Sequence, residues 1–305
     1  MLTREFTTLQ AATSRAMSTA TVVIPCYNEE HRLSAAAIEA FFAGEHSHRL
    51  LLVDDGSTDG TRALLESLRQ AHPARVAVLP LPQNQGKAEA VRQGVLAALS
   101  APSNAAAQRV TAPDVMAPSL TAPSAVSPDA APPDYVGFWD ADLATPLEAI
   151  GDFARVLDAR PELMMVFGAR VGLLGRRIER RLKRHYLGRL FATAVSLMLK
   201  LPVYDTQCGA KLFRNTPAVA ALFDEPFASR WIFDVELLAR WQSLARSRTA
   251  PPAEAAVYEY PLDTWRDVAG SKLRSRDMLR AAVELAAIYW RYQRPGAAAY
   301  RSPRA

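Results

Sequence analysis

Two aspartates, Asp140 and Asp142, stand on either side of one alanine, directly after the apolar run YVGFW. Such a pair can place two carboxylates, directly or through water, around a hard divalent cation, and Mg²⁺ or Mn²⁺ would share that site with a diphosphate. A D-x-D tripeptide alone is common by chance. Its position at the end of a predicted strand, after two earlier strands with similar ends, makes a cation and diphosphate site the favoured interpretation.

A second acidic pair, Asp54 and Asp55, ends the apolar run LLLV. Two adjacent acids at a buried strand end are costly unless they are paired, so we favour ligand binding for them. The residues that follow them, Ser57, Thr58 and Asp59, are favoured as caps of the next helix.

The first predicted strand, TVVIP, ends at a proline and leads into the polar residues Tyr27, Asn28 and Glu29. A strand-to-helix turn at this place points polar groups into a ligand crevice. Because Asn and Glu are also common helix caps, this motif by itself supports either interpretation.

Four basic residues follow or flank strand-like segments and are candidates for contact with phosphate. Each of them, taken alone, is more often a solvated surface charge than a phosphate contact. They are Lys87, Arg170, Lys211 and Arg214.

The elements that must position these residues alternate between strands and helices from Thr21 onward. Continuous apolar strands separated by amphipathic helices predict a parallel sheet that is covered on both faces. Ligands of such sheets bind at the carboxyl ends of the strands, where the acids and glycines of this sequence lie. No G-x-G-x-x-G follows the first strand, and LPQNQGK lacks the first glycine of a P-loop, which disfavours a dinucleotide dehydrogenase and a P-loop kinase.

Composition excludes several other classes of protein. The chain has 305 residues, of which 50% are hydrophobic and 22% charged, enough to bury a full core. Its two cysteines lie far apart, which argues for a reducing compartment and against structural zinc. The net charge of +5 is explained equally well by a general abundance of arginine and by an anionic partner. Because the basic residues lack the interleaved aromatics of a nucleic-acid site, no nucleic acid is expected.

The chain resembles the inverting family-two glycosyltransferases of GT-A fold. Within them it is most similar to the dolichyl-phosphate β-glucosyltransferases, and next to the polyprenyl-phosphate mannosyltransferases. The resemblance covers residues 21–276 apart from an Ala/Pro-rich insertion. It rests on the strings VIPCYNEE, VDDGSTDGT, WDADLAT, GAR, DTQCGAKLFR, WIFDVELL and VAGSKLR, in this order.

The resemblance implies an α/β fold: a single GT-A domain with a Rossmann-like, mostly parallel sheet, helices on both faces and an amphipathic interfacial helix. A flexible extension (1–20) precedes the domain (21–276), and a C-terminal helix and tail (277–305) follow it. Inside the domain lie a flexible insertion (101–134) and the basic, then apolar, region of the interfacial helix (176–201).

The resemblance also implies roles for individual residues. Asp140 and Asp142 bind Mg²⁺ or Mn²⁺, and Asp142, Arg170 and Lys211 form the catalytic group. The roles of Asp234, Glu236, Trp265 and Lys272 stay open. The nucleotide donor contacts a set drawn from the strand ends: Pro25, Tyr27, Asn28, Glu29, Asp54, Asp55, Lys87 and Asp140.

The implied activity is transfer of glucose from UDP-glucose to a polyprenyl phosphate, with inversion at the anomeric carbon. Alternatives are GDP-mannose or a UDP-N-acetylhexosamine as donor, a soluble acceptor, or a non-catalytic nucleotide-binding module on a membrane surface. Region 176–201 predicts peripheral contact with anionic lipid. We therefore expect a cytoplasmic protein on the inner face of the cell membrane.

Overall fold

The computed structural model describes residues 18–100, 131–179, 182–266 and 275–300. Most of the expected N-terminal extension and most of the insertion at 101–134 lie outside these residues. Lys272 and the string VAGSKLR also lie outside them, as do the side chains of the basic run within 176–201 from residue 179 to residue 187.

Nine strands occur in the described chain, each three to seven residues long. They are β1 (Ala20–Cys26), β2 (Arg49–Asp54), β3 (Val76–Pro80), β4 (Tyr135–Trp139), β5 (Met165–Ala169), β6 (Arg177–Glu179), β7 (Ala210–Arg214), β8 (Val257–Pro261) and β9 (Thr264–Arg266).

The helices of the described chain alternate with the strands as far as β5, and a π-helical turn at Tyr289–Gln293 follows the last helix. They are α1 (Ala35–Phe42), α2 (Thr61–Ala71), α3 (Lys87–Leu99), α4 (Ala149–Ala159), α5 (Leu182–Leu199), α6 (Pro217–Ala221), α7 (Phe233–Arg246), α8 (Ala253–Ala256) and α9 (Ser275–Ile288).

Seven of the described strands form one sheet in the order β3-β2-β1-β4-β7-β5-β8. All neighbouring pairs are parallel except those of β7, which runs antiparallel to both β4 and β5. Strands β6 and β9 pair separately as a small parallel ribbon. The mostly parallel α/β sheet predicted from the sequence is therefore confirmed, with one reversed strand inserted into it.

Helices cover both faces of the sheet because successive residues of its central strands point to opposite sides. Val23, Leu51 and Val53 join a core with α3, α5, α7 and α9, whereas Ile24 and Leu52 join a core with α1, α2 and α4. This burial on both sides explains why the strands are continuous apolar runs rather than alternating ones.

Within the seven-stranded sheet, β7 is the strand that the sequence analysis did not predict. Its residues AKLFR belong to a string that was singled out for its charges, and they fill the gap between β4 and β5. Because β7 is reversed, its first residue, Ala210, lies opposite Trp139 at the carboxyl edge of the sheet. Its last residue, Arg214, pairs with Tyr135 at the other edge.

Candidate functional site

The aspartate pair lies in a tight turn where β4 reaches the carboxyl edge of the sheet. The backbone N–H of Leu143 donates to the carbonyl of Asp140 at 3.0 Å, and Oδ1 of Asp142 accepts the N–H of Ala144 at 3.2 Å. Leu143 has φ 47°, in the left-handed region that side chains such as leucine rarely adopt. The turn thus contains a strained backbone residue directly after Asp142.

Asp140 is paired with Lys87, the first residue of α3. The Nζ atom of Lys87 lies 2.5 Å from Oδ1 of Asp140, and both side chains are partly exposed. Neighbouring protein atoms partly desolvate the ammonium group and oppose its charge, but the carboxylates of Asp140, Asp234 and Asp142 outweigh this effect and raise the pKa of Lys87. Two residues predicted to contact the donor are therefore brought together as an ion pair.

Asp142 lies near two further charged residues, Arg32 and Glu29. A guanidinium nitrogen of Arg32 is 3.6 Å from Oδ2 of Asp142 and 3.2 Å from Oε1 of Glu29. Burial and the charge of Asp140 raise the pKa of Asp142. Burial also raises the pKa of Glu29, helped by Asp142 and Asp140 and opposed by Arg32. The site thus concentrates negative charge that one arginine offsets only in part.

Asp55 orients the loop that leads into α3, of which Lys87 is the first residue. Its two carboxylate oxygens accept the backbone N–H groups of Gln85 and Gly86, each at 2.8 Å. Burial raises the pKa of Asp55 in spite of these two hydrogen bonds. Asp54 accepts the N–H of Ser57 at 2.9 Å. The acidic pair is thus compensated by backbone donors, and its contact with a nucleotide stays a prediction.

The loops after β1 and β2 interlock through short polar side chains. Asn28, at φ 53°, accepts the N–H of Thr58 at 2.9 Å and donates its own N–H to Ser57 Oγ at 3.2 Å. A carboxylate oxygen of Glu30 accepts the N–H of Gly60 at 2.9 Å, where α2 begins. Ser57 and Thr58 therefore bind the first loop instead of capping α2.

The remaining capping candidate and the outer residues of the first motif have different surroundings. Asp59 accepts the backbone N–H of Thr61, the first residue of α2, at 2.9 Å. Tyr27 is exposed beyond β1, and Pro25 is half-buried within it. The exposed ring of Tyr27, at the carboxyl edge of the central strands, is available for contact with the base of a nucleotide.

Arg170 follows β5 and is held by Asp205. Its Nε and Nη2 atoms donate to the two oxygens of Asp205 at 2.6 and 2.7 Å, and its guanidinium lies 5.2 Å from the ring centroid of Trp265. The carboxylate of Glu259, on β8, accepts the N–H of Tyr204 and the N–H of Asp205. Burial opposes the charge on Arg170, but Asp205 raises its pKa further above the ordinary range.

Lys211, on β7, is fully buried behind the acidic turn. Its Nζ atom lies 2.6 Å from Oδ1 of Asp234 and donates to the carbonyl of Cys208 at 2.6 Å. The rings of Phe138 and Phe167 flank it at 5.3 and 4.9 Å. A buried lysine of this kind neutralises Asp234 at the start of α7, whereas direct contact of Lys211 with substrate stays a prediction.

Two other residues singled out in the sequence lie away from the aspartate pair. Arg214 donates to the carbonyls of Leu163 and Leu157, at the opposite edge of the sheet, and so is not one of the basic candidates that gather near the aspartate pair. Glu236 is fully buried and forms an ion pair with Arg240 at 2.9 Å. Both residues stabilise the packing of neighbouring elements.

Four residues in or next to the candidate site were not identified as site residues from the sequence. Asp205 and Gly209 belong to the string DTQCG, and Glu259 is a charged residue inside the predicted strand AVYEYPL. The sequence therefore contained a signal by which these three residues could have been found. Arg32 carried none. A Cβ atom added at Gly209 would overlap the carboxylate of Asp140, so a larger residue at this position would displace that side chain.

The residues present fit a divalent cation that is bound together with a diphosphate. In the described chain, no three His, Cys, Asp or Glu side chains converge to hold a metal by themselves. The acidic turn offers two carboxylates, and the buried Oε2 atom of Glu29 has no hydrogen-bond partner among the described residues. Mg²⁺ is commonly held by one or two carboxylates plus phosphate oxygens, which is the arrangement this donor set allows.

The chain matches a known sequence family and several curated proteins. Residues 21–101 match the family described as Glycosyl transferase family 2. A dolichyl-phosphate beta-glucosyltransferase of Drosophila melanogaster is 31% identical, over 83% of this chain and 68% of the relative. One from Dictyostelium discoideum is 29% identical, over 89% of this chain and 74% of the relative.

The fold is also similar to that of solved glycosyltransferases. One is glucosyl-3-phosphoglycerate synthase of Mycobacterium tuberculosis in complex with Mn²⁺, UDP and glucosyl-3-phosphoglycerate. It is 20% identical, with a TM-score of 0.53, and the match covers 91% of this chain and 81% of that one. At this identity the likeness is one of fold, and it agrees with the GT-A architecture implied by the sequence motifs.

Proposed function

Because this chain is a glycosyltransferase that belongs to glycosyl transferase family 2, we propose that it transfers glucose from UDP-glucose to a polyprenyl phosphate. The names of the curated relatives support a dolichyl-type phosphate as acceptor. The complex of the structural relative with UDP and Mn²⁺ supports a uridine nucleotide and a divalent cation.

The observation that carries the proposal is the meeting of Asp140, Asp142 and Lys87 at the carboxyl edge of the sheet. Carboxylates that hold a cation, together with an ammonium group that can reach the same ligand, suit a diphosphate. The cation and the ammonium group would both offset the negative charge of the diphosphate as it leaves. Dinucleotide chemistry would instead require a glycine-rich turn after β1, where this chain has Tyr27, Asn28 and Glu29.

In the proposed reaction, an acceptor phosphate oxygen attacks the anomeric carbon, the bond from that carbon to the UDP oxygen breaks, and the configuration inverts. A phosphate monoester is already anionic near neutral pH, so the attack needs no dedicated base. Asp140 and Asp142 would hold Mg²⁺ or Mn²⁺, which supplies electrostatic stabilisation of the departing diphosphate. Lys87 would orient the donor diphosphate, and Arg170, fixed by Asp205, would present its guanidinium toward the phosphates.

We further propose that α5 and the C-terminal helix contact an anionic membrane surface. Leu190 and Leu197 project from α5 with 66% and 74% of their surface exposed. Val283 of the C-terminal helix α9 and Trp290 of the π-helical turn that follows it are exposed as well. Exposed apolar side chains near arginines are typical of interfacial helices. Within the described residues, no helix combines the length and the apolar character needed to cross a bilayer.

Sedimentation with lipid vesicles tests the membrane contact. We expect the protein to sediment with vesicles containing phosphatidylserine, and the double variant Leu190→Ser, Leu197→Ser to sediment less, because each exposed leucine buries apolar surface in the lipid. Vesicles of phosphatidylcholine alone serve as the control for charge. Equal sedimentation of wild type and variant would show that α5 does not contact the bilayer.

A panel of labelled sugar nucleotides tests the transferase activity itself. The purified chain is incubated with UDP-glucose, GDP-mannose or UDP-N-acetylglucosamine, together with a polyprenyl phosphate and Mg²⁺ or Mn²⁺, and is then extracted with organic solvent. We expect label from UDP-glucose in the lipid phase. Label from another donor would change the sugar, label in a water-soluble product would exclude the lipid acceptor, and UDP binding without consumption of donor would indicate a non-catalytic module.

A further inference from the structure

We infer that Lys87 competes with the divalent cation for Asp140, and that the donor diphosphate removes this competition by giving Lys87 another anion. The inference rests on the proposed function, because it assumes that a cation and a nucleoside diphosphate share this site. It assigns to Lys87 a role in coupling the binding of the two, beyond contact with the donor.

The contact between Lys87 and Asp140 is too close to coexist with a cation on the same oxygen. The ammonium nitrogen lies 2.5 Å from Oδ1 of Asp140. A divalent cation would bind that oxygen at about 2.1 Å. The ammonium group, with charge +1, and the cation, with charge +2, would then lie within a few ångströms of each other. Repulsion at such distances is strong even at the edge of a protein, so cation binding there requires Lys87 to leave.

The side chain of Lys87 can leave while its backbone stays in place. Asp55 holds the preceding residues, Gln85 and Gly86, through two backbone hydrogen bonds, and Lys87 itself begins α3. Its ammonium lies 5.8 Å from the ring of Phe233, and the side chain as a whole is 41% exposed. A rotamer change is therefore enough to move the charge from Asp140 to a neighbouring anion.

Asp142, the second carboxylate of the turn, does not have a competitor of this kind at contact distance among the described residues. Its nearest cation in an ion pair is Arg32, at 3.6 Å, and Arg32 is shared with Glu29. The competition is thus concentrated on Asp140. This asymmetry distinguishes displacement of one ammonium group from a general effect of positive charge on the whole site.

Two consequences follow for binding. Without nucleotide, the cation must displace Lys87 and binds weakly. With UDP bound, Lys87 pairs with the diphosphate and Asp140 is released, so UDP strengthens cation binding. By thermodynamic linkage, the cation strengthens UDP binding by the same factor. Removal of the ammonium group should raise the affinity for the cation alone and reduce this coupling factor.

The test is a Mn²⁺ titration of the full chain, followed by the electron paramagnetic resonance of free Mn²⁺, without and with saturating UDP. The proteins are wild type, Lys87→Met, Lys87→Arg and the control Lys200→Met, which removes an exposed lysine at the end of α5. Melting temperatures verify that each protein is folded. No activity measurement is needed.

For Lys87→Met we expect Mn²⁺ alone to bind at least about threefold more tightly than in wild type, and the coupling factor with UDP to fall at least about fivefold. Lys87→Arg and Lys200→Met should keep most of the wild-type coupling. A mere loss of positive charge would strengthen Mn²⁺ binding equally with and without UDP, so an unchanged coupling factor would overturn the inference.

Unchanged or weaker binding of Mn²⁺ alone to Lys87→Met would also overturn it. If wild type bound neither Mn²⁺ nor UDP, the proposed function would fail together with the inference. If wild type bound both but the coupling did not depend on Lys87, the inference alone would fail.

Discussion

Asp205 holds Arg170 in a two-point contact, with hydrogen bonds of 2.6 and 2.7 Å, and one of its oxygens also accepts the backbone N–H of Arg170 at 3.1 Å. Both side chains are largely buried, at 16% and 6% exposure. The carboxylate therefore fixes the guanidinium plane at the end of β5, beside the acidic turn. A side chain fixed in this way needs no reorganisation when charge develops near it.

The first prediction concerns this two-point contact. Arg170→Lys keeps the charge but loses the planar fork, so kcat/KM for sugar transfer should fall by about 10–100-fold. Asp205→Asn should cause a similar loss, because it frees the guanidinium to rotate. The matched control is Arg155→Lys, at an exposed helical pair. Steady-state kinetics decides, and full activity of both site variants would exclude a role for this pair.

The second prediction concerns Asp142. Asp142→Asn preserves shape and removes the charge that a cation needs, so turnover should fall by about 100-fold or more. Folding stability should stay the same or rise slightly, because burial already disfavours the charged form of this side chain. Donor consumption and thermal unfolding are measured beside Asp152→Asn, an acid of α4. Substantial residual turnover with metal present would contradict the assigned role.

The third prediction uses the close approach at Gly209. An added methyl group would meet the carboxylate of Asp140 at 2.0 Å and displace it, so Gly209→Ala should weaken binding of UDP in the presence of Mn²⁺ by about tenfold or more. Gly151→Ala is the control, since a Cβ there meets nothing within 4 Å. Calorimetry gives both affinities, and equal values would show that Asp140 tolerates displacement.

The fourth prediction concerns the buried pair of Glu236 and Arg240. Arg240 also donates to the carbonyls of Leu222, Glu225 and Pro226, so Arg240→Met leaves a buried carboxylate and several carbonyls without their donor. We expect a loss of about 3–5 kcal/mol in the free energy of unfolding, measured with urea.

The control for this prediction is Arg291→Met, which removes a partly exposed pair with Glu225. It should change the free energy of unfolding by less than about 1 kcal/mol. A similarly small effect of Arg240→Met would mean that the buried network relaxes without cost.

The fifth prediction is a pH dependence at the edge opposite the site. Burial, with a smaller contribution from His46, lowers the pKa of His48 to about 4 from 6.5, against the opposing charge of Asp158. Between these values the unfolded chain binds a proton that the folded protein does not, so stability falls as pH drops below 6.5. The loss should be about 2–3 kcal/mol by pH 4.

Urea unfolding at pH 7, 6, 5 and 4 measures this loss. The variant His48→Asn, which cannot take up the proton, should show a shallower pH dependence than wild type. Parallel curves for the two proteins would assign the pH dependence to other groups.

The local pattern of the sequence was sufficient for the parallel part of the fold and for the position of the acidic turn. Apolar runs buried on both sides of a sheet have few alternatives, and residues that follow such runs must reach the same edge. Asp140, Asp142 and Lys87 could therefore be expected near one another. Arg32 could not, because an isolated arginine in a loop has no distinguishing signal.

What the tertiary structure decided is how the charged residues are distributed among partners. The string AKLFR predicts neither the direction of β7 nor its neighbours, since both depend on packing between distant segments. The reversed strand takes Arg214 to the far edge, buries Lys211 against Asp234, and brings Gly209 onto Asp140. Periodicity and burial are local properties that a sequence carries directly, whereas ion pairing depends on distances that exist only after the chain has folded.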